Sequence, residues 1–86
     1  MRSGFGSAPV FLYSRSTDMR KSYEGLGGLV ESAFSGELLS GALFVFTNKR
    51  GNMVKVLYWD EDGFAIWSKR LERGKFRLPA SPGDCR

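Results

Sequence analysis

Histidine does not occur in this chain, and cysteine occurs once, at Cys85 beside the C-terminus. Without histidine the commonest general base and the commonest transition-metal ligand are both missing. Ser-His-Asp and Cys-His nucleophile systems are therefore excluded within the chain. A lone terminal cysteine allows neither an intrachain disulfide nor a cysteine-based zinc site. No apolar run approaches the roughly 20 residues that span a bilayer. The opening MRSGFGSAPVFLYSRS has too short an apolar stretch for a secretory leader, and Arg15 follows it closely. The expectation is a cytoplasmic protein with no membrane, no cofactor and no small-molecule substrate.

What is present fits one small domain. The 86 residues are 42% apolar and 14% aromatic, enough for a folded core. A chain of this size buries only about 60–65% of its unfolded surface, so its stability margin is thin. Net charge is +4 and the pI is near 9.6. That sign attracts phosphate backbones, but charge of this size is common among domains that bind nothing anionic.

Residues 1–9 are rich in Gly and Ser and read as a flexible segment, residues 10–79 as a single domain, and residues 80–86 as a disordered tail. Val10–Tyr13 is predicted to be a strand. Thr17 or Asp18 is a candidate N-cap for a helix to about Phe34, with Met19, Tyr23, Leu26, Val30 and Ala33 or Phe34 as one apolar stripe. Gly25, Gly27 and Gly28 weaken that helix, so packing must hold it. Strands are predicted at 43–46, 53–59 and 64–69, separated by the turns 47–52 and Asp60–Gly63, with a further strand possible at 75–78. The predicted fold is α+β: one helix packed on a mainly antiparallel sheet of four or five strands, in the order β-α-β-β-β.

The strand 53–59 is apolar on both faces. Val54, Val56 and Tyr58 point one way, and Leu57 and Trp59 point the other. One helix covers one face. The other needs the N-terminal segment, a second chain or a partner protein, which makes Leu57, Trp59 and Trp67 candidate partner contacts.

Asp60-Glu61-Asp62 reads as a hairpin turn, because neighbouring side chains diverge and a metal site needs carboxylates that converge. Lys69, Arg70, Arg73, Lys75 and Arg77 place five cations within nine residues. They suit either phosphate contact or a solvated, aggregation-resistant edge. Arg20 and Lys21, at the predicted helix start, suit either an anion site or local ion pairs such as Arg20 with Glu24. Lys49 and Arg50 form a basic turn tip.

These segments also resemble a known pattern. Thr17-Asp18-Met19-Arg20-Lys21 followed by Tyr23-Glu24-Gly25-Leu26 is similar to a TDMRK-x-[FY]-[DE]-GL opening. Ser35-Gly36 with Leu43–Phe46, Lys49-Arg50-Gly51, Val54–Asp60, Asp62-Gly63-Phe64 and Lys69–Phe76 complete it in order. From about Val10 to Pro79 the chain resembles the TnpB-type (Orf2-like) accessory proteins of the insertion-sequence family numbered sixty-six. The resemblance implies a bacterial mobile-element protein, encoded beside a large transposase and required with it for efficient DNA transposition and recombination. It carries over no catalytic residues. Members of that family continue beyond this region into a further helical segment, which is expected to bear on how the second sheet face is covered. The leading expectation is a non-enzymatic accessory protein that contacts element DNA, the transposase of the same element, or both. Its DNA contacts would be Arg20, Lys21, Lys49, Arg50, Lys69, Arg70, Arg73, Lys75 and Arg77. The alternative is a pure interaction module, forming a homo-oligomer or a transposase contact through an apolar sheet face.

Overall fold

The computed structural model describes residues 8–76. The elements run β1 (Val10–Leu12), α1 (Tyr23–Ala33), β2 (Leu43–Thr47), β3 (Met53–Asp60) and β4 (Gly63–Arg70). The α+β class and the β-α-β-β-β order are as predicted. The sheet has four strands in the spatial order β1-β2-β3-β4. β1 runs parallel to β2, and the two hairpins β2–β3 and β3–β4 are antiparallel. Of the possible fifth strand, Lys75 and Phe76 carry no strand structure, and 77–78 lie outside the described residues. The calls on residues 1–7 and on the tail also lie outside them. No helix among the described residues is long and apolar enough to cross a membrane.

The core follows from alternation along the strands. Phe44 of β2 pairs with Leu57 of β3, which pairs with Ile66 of β4, so these three share one face. Leu26 and Val30, one helical turn apart, lie over that face and are fully buried, as are Phe44, Phe46 and Leu57. Burial of each such side chain contributes about 1.5–3 kcal/mol. Aromatic contacts close the layer at the β1 side: Phe11 lies 5.1 Å from Phe34 and 5.6 Å from Phe44, ring centre to ring centre.

The helix begins later than predicted. Its N-cap is Ser22, not Thr17 or Asp18. Local bonding explains the difference. The Arg20 N–H donates to the Asp18 carboxylate at 2.9 Å, and the Lys21 N–H donates to the Asp18 carbonyl at 3.1 Å. A carboxylate that captures the backbone N–H two residues on closes a local turn, an alternative to helix for the chain at that point. Thr17 is meanwhile tied to the sheet, its N–H donating to the Thr47 carbonyl at 2.8 Å. Met19 still packs on the core, so the apolar stripe is real although its first turn is not helical.

The opposite sheet face is only partly bare. Leu12, Leu43 and Val54 on it are buried, Val45, Val56 and Tyr58 are half-buried, and Trp67 is 48% exposed. The two tryptophans therefore part company. Trp59 lies across from Phe64 on the helix side, edge-to-face at 4.9 Å, whereas Trp67 stands on the opposite face near the β4 edge.

Candidate nucleic-acid interface

The β2–β3 turn is built by Asn48. Its Oδ1 accepts the Met53 N–H at 3.0 Å, and its Nδ2 donates to Asn52 Oδ1 at 2.7 Å. Gly51 completes the turn at φ +78°, a left-handed conformation that other residues adopt only at a cost. The turn holds Lys49 and Arg50 out in solvent.

The chain leaving β4 folds back onto this turn. The Leu71 N–H donates to the Asn52 carbonyl at 2.7 Å, and the Phe76 N–H donates to the Gly51 carbonyl at 2.8 Å. The aliphatic stem of Lys75 lies against Gly51, where an added Cβ would sit 3.6 Å from it. A shallow pocket of about 240 Å³ opens between the two loops, bordered by Arg50, Asn52, Leu71, Glu72, Gly74 and Lys75. Lys49, Arg50, Lys69, Arg70, Arg73 and Lys75 thus gather at one end of the sheet.

The 18–21 turn lies over the helix side of this same end. Lys55 Nζ donates to the Lys21 carbonyl at 2.9 Å, and Thr17 pairs with Thr47 at the close of β2. Arg20 and Lys21 consequently flank the basic end without standing in a helical first turn. A helix-terminus anion site at these two residues is not formed. Lys55 was not singled out from sequence. Its signal was a lone cation inside an otherwise apolar strand.

The cations differ in how far their charge is already offset. Arg20 grips Asp18, with Nη2–Oδ2 at 2.7 Å and Nε–Oδ1 at 3.0 Å, in place of the expected pair with Glu24. Hydrogen bonds from the Arg20 guanidinium, then from its N–H, hold the Asp18 carboxyl well below the usual carboxylate range. The Arg20 pKa rises in return. Both groups are solvent-exposed, so this pair adds little to stability. Arg70 has Glu72 at 3.5 Å. Among the described residues Lys49, Arg50, Lys69, Arg73 and Lys75 have no ion-pair partner. Arg77 lies outside the described residues.

The acids collect elsewhere. Asp60, Glu61 and Asp62 form the β3–β4 turn, as the sequence suggested, at the far end of eight-residue strands. Strands of that length separate the two ends by about 25 Å. The Asp62 N–H donates to the Asp60 carbonyl at 2.6 Å, and Glu61 is held at φ +61°. Of the candidate partner contacts, Leu57 is fully buried beneath α1 and offers no surface, which corrects its assignment. Trp59 is half-buried against Phe64, and Trp67 alone of the three is exposed.

Comparison with known proteins adds the following. A family model described as IS66 Orf2 like protein matches residues 8–86. Two curated proteins of Sinorhizobium fredii are similar to the chain. The uncharacterized protein y4hO is 35% identical over 74 residues, covering 86% of this chain and 64% of its own length. The uncharacterized protein y4jC is 36% identical over 70 residues, covering 81% of this chain and 60% of its own length. The chain thus spans about three fifths of the length of the curated relatives it matches. No solved structure matches.

Proposed function

The chain belongs to the IS66 Orf2-like family, and from that premise we propose a non-enzymatic accessory protein of insertion-sequence transposition that grips DNA phosphates through its basic end. The observation that carries this reading is the return of residues 71–76 onto the β2–β3 turn. That fold-back turns two separate basic segments into one surface with five cations that have no ion-pair partner among the described residues. Lysine and arginine so placed release counterions from a phosphate backbone without reading base sequence. The shallow pocket between Arg50 and Lys75 suits a single phosphate. In this reading the protein works in the bacterial cytoplasm beside the transposase of its own element.

The test is fluorescence anisotropy with labelled duplex and single-stranded DNA across a salt series. Five phosphate contacts give a slope of log K against log salt of about −4.5 on duplex. Affinity then falls about 500-fold between about 50 and about 200 mM salt. Arg50→Ala with Lys75→Ala lowers the slope by about 2. Absence of binding at the lowest salt would refute the reading. Metal-dependent DNA cleavage, lost in Asp60→Ala/Asp62→Ala, would refute its non-enzymatic part.

A second reading has one specific observation in its favour. Trp67 is a large aromatic side chain left 48% exposed on the sheet. Such residues anchor protein contacts. Co-purification with the transposase, lost in Trp67→Ala, would favour an interaction module over DNA contact.

A further inference from the structure

We propose that this protein forms a symmetric dimer by antiparallel pairing of β4 with β4 of a second copy, making one continuous eight-stranded sheet. The proposal does not rest on DNA binding, although it engages Lys69 and Arg70 of the basic end together with the acidic turn at the other end of the same strand.

β4 is the outermost strand among the described residues and is eight residues long, whereas the other edge, β1, has three. Its hydrogen-bonding phase is set by its neighbours. The Asn48 N–H bonds the Met53 carbonyl, and the Leu71 N–H bonds the Asn52 carbonyl. Carried along the ladder register, this turns Gly63, Ala65, Trp67 and Lys69 towards β3. The N–H and C=O groups of Phe64, Ile66, Ser68 and Arg70 therefore point outward, a ready template for another strand.

Charge selects the occupant and its direction. β4 begins at the acidic turn Asp60-Glu61-Asp62 and ends at Lys69-Arg70. A two-fold axis at Ile66, a register that pairs outward-facing residues with one another, sets Arg70 of one copy opposite Asp62 of the other and Lys69 opposite Gly63, beside the acidic turn. The match occurs twice. A parallel self-pairing would set cation beside cation. Edge lysines usually oppose association; here Lys69 gains a carboxylate neighbour from the second copy in the antiparallel arrangement, and Arg70 gains one beyond its 3.5 Å contact with its own Glu72.

The axis stands perpendicular to the sheet, so both helices lie on one face. On that face Tyr23, Gly27, Gly28, Leu38 and Phe64, with Glu24 and Glu31, line a shallow crevice of about 340 Å³ beside the start of β4. An added Cβ at Gly27 or Gly28 would meet nothing within 4 Å, so there is room for the second helix to approach. On the other face the two exposed Trp67 side chains meet near the axis.

Sedimentation equilibrium of the whole chain tests this. The expected mass at about 50 mM salt is twice the 9.6 kDa chain. Dissociation should rise at least tenfold at about 500 mM salt. Ser68→Pro removes an outward N–H, leaves the β3 ladder intact, and should yield a monomer with an unchanged circular dichroism spectrum. Charge exchange gives an independent arm that does not depend on proline being tolerated. Lys69→Glu/Arg70→Glu alone and Glu61→Lys/Asp62→Lys alone should each be monomeric, and their mixture should recover the dimer. A wild-type chain that stays monomeric at about 200 μM, more than ample for micromolar self-association, overturns the proposal. So does a dimer indifferent to Ser68→Pro, or a mixture of charge variants that fails to associate.

Discussion

Leu57→Ala and Trp67→Thr, measured side by side, test the assignment of the two sheet faces. The residues are on neighbouring strands and both read as apolar surface in the sequence. In the fold Leu57 is 0% exposed, wedged between Phe44 and Ile66 beneath Leu26 and Val30, whereas Trp67 is 48% exposed. Truncating a fully enclosed leucine removes transfer free energy and leaves a cavity, for about 3–4 kcal/mol. A domain of this length holds only about 4–13 kcal/mol in total, so the variant loses a large share of it. A buried tryptophan covers about 150–250 Å², and about half of that is at stake for Trp67. Threonine keeps strand propensity and covers part of the area, leaving a net loss of about 1 kcal/mol. Urea unfolding followed by circular dichroism, in high salt to suppress strand pairing, gives both values. Equal losses for the two variants would show that the face bearing Trp67 is as enclosed as the helix side, and the face assignment would fail.

Other substitutions probe local features. Glu61 sits at φ +61°, which costs a non-glycine residue about 1–2 kcal/mol. Glu61→Gly should stabilise the hairpin by about 0.5–1 kcal/mol after the added freedom of the unfolded chain is counted. The thermal midpoint then rises by about 2–8 °C; a fall would refute the strain assignment. Thr17 is 6% exposed, and its Oγ1 has no hydrogen-bond partner among the described residues. Thr17→Val should therefore raise stability by about 1 kcal/mol in chemical denaturation, and a loss would reveal a partner for the hydroxyl. Asp18 has a depressed folded pKa, so its contribution is fully present above the ordinary carboxylate value of 3.8 and is lost only as pH falls below that range. An NMR titration should find it still ionised where free aspartate is protonated, and Arg20→Ala, which removes the guanidinium but keeps the backbone N–H, should raise its pKa part of the way back.

The strands and turns were legible in the sequence because their signals are local. The run of β-forming residues at 53–59, the Asn and Gly of the 47–52 turn, and the acidic turn before Gly63 each act within a few residues. The start of α1 was not legible, since Asp18 bonding Arg20 and Lys21 outweighs a stripe that suggested helix from Met19. The face of Leu57 against that of Trp67 was open too, because period-two alternation says which residues share a side but not which side α1 covers. The gathering of the cations depends on the bonds from Leu71 to Asn52 and from Phe76 to Gly51. These are backbone contacts between segments about twenty residues apart in the chain, and nothing in the side-chain pattern announces them.

Strand pairing and DNA binding, if both hold, constrain each other through Lys69 and Arg70. Pairing engages these two with the carboxylates of the second copy and leaves Lys49, Arg50, Arg73 and Lys75 free on each chain. The dimer then carries two basic ends on opposite sides of its axis. With eight residues per paired strand and the loops beyond, those ends stand about 30 Å apart, close to the roughly 34 Å of one duplex turn. The salt slope on duplex should therefore steepen from about −4.5 for an isolated chain to about −7 for the dimer. Ser68→Pro, which keeps every cation, should return the slope to the single-chain value and lower affinity about a hundredfold through lost bivalency. On a duplex of half a turn the two proteins should bind alike, because only one basic end reaches it. Equal slopes for wild type and Ser68→Pro on long duplex would show that the two basic ends never act on one DNA, even if each binds alone.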